Sequence, residues 1–92
     1  MRNFEALSDE KLIELMKNGQ EEDDIVEYLM TKYKPLVRKK ARAMYLVGGE
    51  TDDLIQEGML GLFKALRDFS PQKEVSCASF ARVCIERQLY NA

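Results

Sequence analysis

The chain contains no histidine, two cysteines and no long run of apolar residues. Each lack closes off a class of function. A bilayer-spanning helix needs about 20 consecutive apolar residues, and no segment approaches that. Without histidine, and with no Cys-x-x-Cys pair, no ligand cluster for a metal is present. On one helix Cys77 and Cys84 lie two turns apart, about 10 Å, too far for a disulfide; they read as two small, partly buried residues. No nucleophile–base pair stands out, and Gly48-Gly49 lacks the GxxxxGK[ST] pattern of a phosphate-cradling loop, so the chain does not read as an enzyme and no cofactor is implied. Asp52 and Asp53 read as helix-start acids in preference to a Mg²⁺ site. The amino terminus carries Glu5, Asp9 and Glu10 and no signal-peptide pattern, which implies a cytoplasmic protein with no membrane partner. Strand-period alternation, repeats and low-complexity segments are also missing.

What is present is one small domain. Its 92 residues are 46% hydrophobic and 33% charged, enough for a modest core. Residues 1–7 read as a flexible tail and residues 8–92 as a single helical domain. Ser8 is a plausible N-cap, Leu12, Ile13, Leu15 and Met16 form an apolar stripe, and Gly19 is a plausible stop. A second stretch begins near Glu22 and keeps helical spacing through Ile25, Leu29 and Tyr33; Pro35 either kinks it or starts a new helix. Leu36, Val37, Ala41, Met44 and Tyr45 carry the apolar face to Gly48-Gly49. Thr51 or Asp52 caps a third helix, residues 68–75 read as a loop, and Ser76 caps a last helix. The expected architecture is all-α, a compact bundle of four to five helices.

The segment from Asp52 to Arg67 carries the strongest signal. At about 100° per residue, Ile55, Met59, Leu62 and Leu66 share a face that can be buried. Asp53, Gln56, Glu57, Leu60, Phe63 and Lys64 fall on the other side, where two large apolar residues among polar ones suggest a protein partner. Gly58, Gly61 and Ala65 form a third flank. An interior glycine costs a helix roughly 0.8–1 kcal/mol against alanine, so two within one turn suggest that another helix comes close.

Charge is segregated although the net value is only −2. Lys32, Lys34, Arg38, Lys39, Lys40 and Arg42 lie between Tyr28 and Gly49 with no acid among them, and acids flank that run on both sides. This suits either a solvated helix face or a polyanion site. On the last helix Cys77, Ala81, Cys84, Ile85 and Gln88 share one side, and Phe80, Val83 and Arg87 lie together on the next. An aromatic beside a cation suits a single-stranded nucleic acid, where a base stacks and a phosphate is neutralised; equally, Phe80 can be core and Arg87 solvated.

The strings DLIQEGMLGLFKALRDF and SFARVCIERQL closely resemble region two of bacterial sigma-70 family transcription initiation factors. The opening, SDEKLIELMKNGQ and then IVEYLMTKYKPLVRKKARAMYLVGG, is similar to the sigma-H-like branch of stationary phase and sporulation. The resemblance covers about residues 7 to 92. It implies a factor that binds core RNA polymerase and recognises and melts the minus-ten promoter element. By position, Asp53, Gln56, Glu57, Met59, Leu60 and Phe63 would dock on a coiled coil of the largest polymerase subunit, although the helical wheel turns Met59 toward the core.

Carried over likewise, Phe80 would trap a flipped base of the non-template strand, with Val83 and Cys84 where many members carry a tryptophan pair. Val and Cys cannot stack, which implies weaker melting and a stricter demand for a good promoter. Arg87 would read the upstream edge of the minus-ten duplex, Lys73 would contact phosphate, and Arg38, Lys39 and Arg42 would track the non-template strand. An anti-sigma factor is a further partner open to such a chain. The resemblance also implies a second promoter-reading domain, for which a chain ending at Ala92 is too short, so it reads as a fragment or a truncated product. The competing reading is a helical interaction module, an adaptor or a sigma-like decoy, with no DNA role.

Overall fold

Ser8 opens the first helix. Its extended backbone and its hydroxyl, which accepts from the Lys11 N–H at 3.1 Å, supply one of the bonds that a helix start otherwise lacks. This helix, α1 (Asp9–Lys17), ends in a Schellman motif. Gly19 sits at φ +80°, its N–H donates to the Met16 carbonyl, and the Gln20 N–H donates to the Leu15 carbonyl, both at 3.0 Å. A computed structural model describes residues 3–45, 51–70 and 74–91. Among them lie α1, α2 (Glu22–Tyr45), α3 (Thr51–Asp68) and α4 (Cys77–Tyr90), and no strand. The all-α expectation therefore holds, with four α-helices. The expected cap at Thr51 or Asp52 concerns a junction whose loop, Gly48-Gly49 included, lies outside the described residues; Asp52 itself occupies the first turn.

Helix α2 runs through Pro35 and neither stops nor restarts there. Proline removes the bond to the carbonyl four residues back. Here both Pro35 and Thr31 are exposed, so the freed carbonyl faces water. At 24 residues and 1.5 Å per residue, α2 is about 36 Å long. It accounts for most of the molecule's 41 Å long axis.

The core is built from ladders of residues four apart. Ile25, Leu29, Tyr33, Val37 and Ala41 are the buried positions of α2, and Cys77, Ala81, Ile85 and Leu89 those of α4. Leu12, Ile13 and Met16 join them from α1, and Leu62, Ala65, Leu66 and the following Phe69 from the α3 side. Helix α3 packs along both α2 and α4, while α1 lies on α2.

Polar bonds then fix the helix ends. The Cys77 N–H at the start of α4 donates to Glu10 Oε2 at 2.7 Å, and Ser76 caps the same end through the Ser79 N–H. Asp9 accepts from Lys32 Nζ at 2.7 Å and from the Tyr33 hydroxyl. Lys17 Nζ donates to the Arg67 carbonyl at 2.9 Å, placing a cation at the end of α3. Ahead of α1, Phe4–Ala6 form a short 3₁₀ turn, and the Phe4 ring meets Tyr28 edge-on at 5.4 Å.

Candidate protein and nucleic-acid interfaces

Helix α3 presents an open ridge. Asp53 and Gln56 are exposed and have no side-chain partner among the described residues. Leu60 and Phe63, one turn and nearly two turns further on, are 44% and 43% exposed. The sequence wheel placed these four on the outward side, and there they lie. Met59 is half-buried against the core, as the same wheel indicated. Glu57 is not on the open ridge. It is half-buried, and its carboxylate accepts from Gln88 Nε2 of α4 at 2.5 Å.

The ridge stands out because the opposite flank of α3 is pressed so closely. A Cβ on Gly58 would lie 2.6 Å from Val37 Cγ1, and one on Gly61 would lie 2.7 Å from Gln88 Cβ and 3.0 Å from the Cys84 carbonyl oxygen. The glycine pair therefore admits α2 at one position and the backbone of α4 at the next.

Helix α4 shows a second surface. Val83 is 46% exposed and Arg87 is exposed; Phe80 is half-buried, its ring 5.5 Å from that of Phe69. Phe80 is thus neither sealed in the core nor free in solvent: one side rests on Phe69. Cys84 is half-buried, and burial raises its thiol pKa. One aromatic was missed by sequence reading. Tyr90 is 74% exposed, seven residues beyond Val83 and three beyond Arg87, hence on the same side of the helix. Its i, i+4, i+7 spacing from Val83 and Arg87 was the available signal.

On α2, Arg38, Lys39 and Arg42 are exposed and form no ion pair among the described residues. The other basic residues of that run divide. Lys32 binds Asp9, which raises the lysine pKa, and Lys40 binds Glu86 Oε1 of α4 at 2.8 Å, which lowers the carboxyl pKa. Lys34 stays exposed. Lys73 lies outside the described residues. Among the described residues no group of acids or cysteines is arranged to hold a metal, and no helix is long and apolar enough to cross a membrane.

The model of the sigma-70 region 2 family matches residues 29–92. The chain belongs to that family. The chain is 45% identical over 89 residues to the RNA polymerase sigma-H factors of Bacillus licheniformis and Bacillus subtilis (strain 168), covering 97% of this chain and 39% and 40% of those proteins. It is 32% identical over 81 residues to the RNA polymerase sigma-E factor of Clostridium acetobutylicum, covering 88% of this chain and 34% of that one. The chain thus spans about two fifths of the length of the sigma-H relatives. The sigma-H-like resemblance read from DLIQEG and its neighbours is borne out. The match to region 2 begins at Leu29, within α2, whereas similarity to the sigma-H factors spans almost the whole chain.

Proposed function

We propose that this chain is the part of a sigma factor that binds core RNA polymerase and recognises and melts the minus-ten promoter element. The observation that carries this reading is the α3 ridge, where Leu60 and Phe63 stand exposed beside Asp53 and Gln56, which have no side-chain partner among the described residues. A coiled coil bearing arginines complements it: guanidinium groups meet Asp53, the Gln56 amide bonds at the rim, and the two apolar side chains are buried at the centre.

Docking brings α4 to the promoter. A base leaving the duplex loses stacking, and an aromatic face returns it, typically worth about 1–3 kcal/mol per base. Phe80 offers that face from a ring already braced by Phe69. Arg87 lies on the same side of α4 for the upstream edge of the element, and Arg38, Lys39 and Arg42 meet non-template phosphates. Val83 and Cys84 offer no ring to brace the upstream end of the bubble, so melting leans on Phe80 and on polymerase binding. The energy source is binding, with no nucleotide hydrolysis. An anti-sigma factor would act by covering the α3 ridge.

The test is co-purification with core RNA polymerase. Asp53→Ala combined with Gln56→Ala should weaken the interaction at least tenfold while the melting temperature stays within a few degrees, because both residues are exposed. Undiminished capture by polymerase would overturn the docking assignment.

A further inference from the structure

The Gln88 amide is gripped from both sides. Its nitrogen donates to Glu57 Oε1 at 2.5 Å, and its oxygen accepts from Lys64 Nζ at 3.2 Å. Glu57 lies four residues before Gly61 on α3 and Lys64 three residues after it. Gly61 is the point where the backbones of α3 and α4 meet, within reach of Gln88 Cβ and the Cys84 carbonyl. A glycine at a helix crossing leaves no side chain to interdigitate there. Rotation of one helix about the crossing is then set by whatever spans it, and the Gln88 amide does so on this flank.

We propose that Gln88 and Glu57 are positioning residues that lock the promoter-reading edge of α4 at a fixed angle to the polymerase-binding ridge of α3. Arg87 is the residue immediately before it, about 100° round the helix from Gln88. Where the Gln88 side chain is tied therefore decides where the guanidinium points, and it fixes the line from Arg87 through Val83 to Phe80 relative to Leu60 and Phe63. The donor–acceptor chemistry suits a lock. The Glu57 bond is charge-assisted and half-buried, the kind worth more than a neutral surface bond. Lys64 satisfies the opposite end of the amide, so neither end is left to rotate or flip. In this arrangement Glu57, which the family resemblance assigns to polymerase docking, works through α4.

The inference rests on the proposed function, and the experiment separates the two. The chain and its variants are bound to core RNA polymerase, and two affinities are measured for each: chain for polymerase, and the complex for a bubble template with the minus-ten non-template strand unpaired. Gln88→Ala should bind polymerase within twofold of the parent chain and bind the bubble template about five- to tenfold more weakly. The exchange Glu57→Gln with Gln88→Glu rebuilds the bond in the opposite sense and keeps a carboxylate for Lys64, so bubble binding should return to within twofold. A loss that merely reflected weaker folding would move both affinities together and would not be rescued by the exchange. Equal bubble binding by Gln88→Ala, or failure of the exchange to restore it, would overturn the lock. If the parent chain itself gives no polymerase-dependent bubble binding, the proposed function falls and the lock with it.

Discussion

At the residue scale the two interior glycines of α3 make different demands. On an exposed helix, replacing glycine by alanine gains roughly 0.8–1 kcal/mol. At Gly61 the sign reverses. The added methyl would sit 2.7 Å from Gln88 Cβ, 3.0 Å from the Cys84 carbonyl oxygen and 3.2 Å from Ile85 Cα, and two of those three atoms are backbone that no rotamer change can move. Gly61→Ala must therefore push α4 away from α3 and should destabilise the fold by about 1–3 kcal/mol in urea denaturation, the usual cost of overpacking. An unchanged or raised midpoint would show that the helices are not in backbone contact. Gly58 is equally tight but against a side chain: Val37 Cγ1 lies 2.6 Å from the added methyl, and that valine is fully buried and stiff at χ1, with Leu89 and Ile85 following at 3.6 and 3.7 Å.

At the element scale the unforeseen role is that of α1. Asp9 and Glu10 look from the sequence like ordinary acids in a first helical turn. The structure uses them to hold other helices: Asp9 binds Lys32 and Tyr33 of α2, and Glu10 binds the first N–H of α4. The same junction contains two buried acids of high pKa. Burial, aided by the Asp9 hydrogen bond, drives the Tyr33 hydroxyl far up, and burial pushes the Cys77 thiol up to about 11. Both are held protonated in the folded chain and ionise sooner in the unfolded one. The thiol's stabilising contribution is complete below pH 9, its ordinary value here, and is lost as pH climbs through about 11, while that of the Tyr33 hydroxyl only begins to fall above its ordinary value of 10.0. Urea midpoints measured from pH 8 to pH 11 should fall steadily, and less steeply for Cys77→Ala; identical slopes for the two proteins would count against a buried neutral thiol.

The periodicities of α1, α3 and α4, the Ser8 and Ser76 caps and the Gly19 stop were legible because each depends on neighbours within about four residues. The ridge of α3 was legible for the same reason. Long-range choices were not: that Glu57 turns to Gln88 depends on α4 meeting α3 at Gly61. Pro35 was ambiguous because the sequence alone does not show that its face of α2 looks out to water.

At the scale of the whole molecule, segregated charge and the packing of α3 on α4 leave two distinct exposed faces, the ridge of α3 and the Val83–Arg87 edge of α4. A chain with a net charge of −2 has no bulk attraction for nucleic acid. The exposed Arg38, Lys39 and Arg42 are local, and acids stand before them at Glu21–Asp24 and after them at Asp52 and Asp53. Such a surface suits capture of a strand delivered by a partner better than capture of free DNA. The two-surface reading is tested most directly by the affinity of a labelled, unpaired minus-ten non-template oligonucleotide for the complex of this chain with core RNA polymerase, compared between the parent and Phe80→Ala. Binding should depend on polymerase, and removal of the ring should weaken it by about 1–3 kcal/mol while polymerase affinity is kept. Equal oligonucleotide binding by Phe80→Ala would mean that α4 does not hold the melted strand.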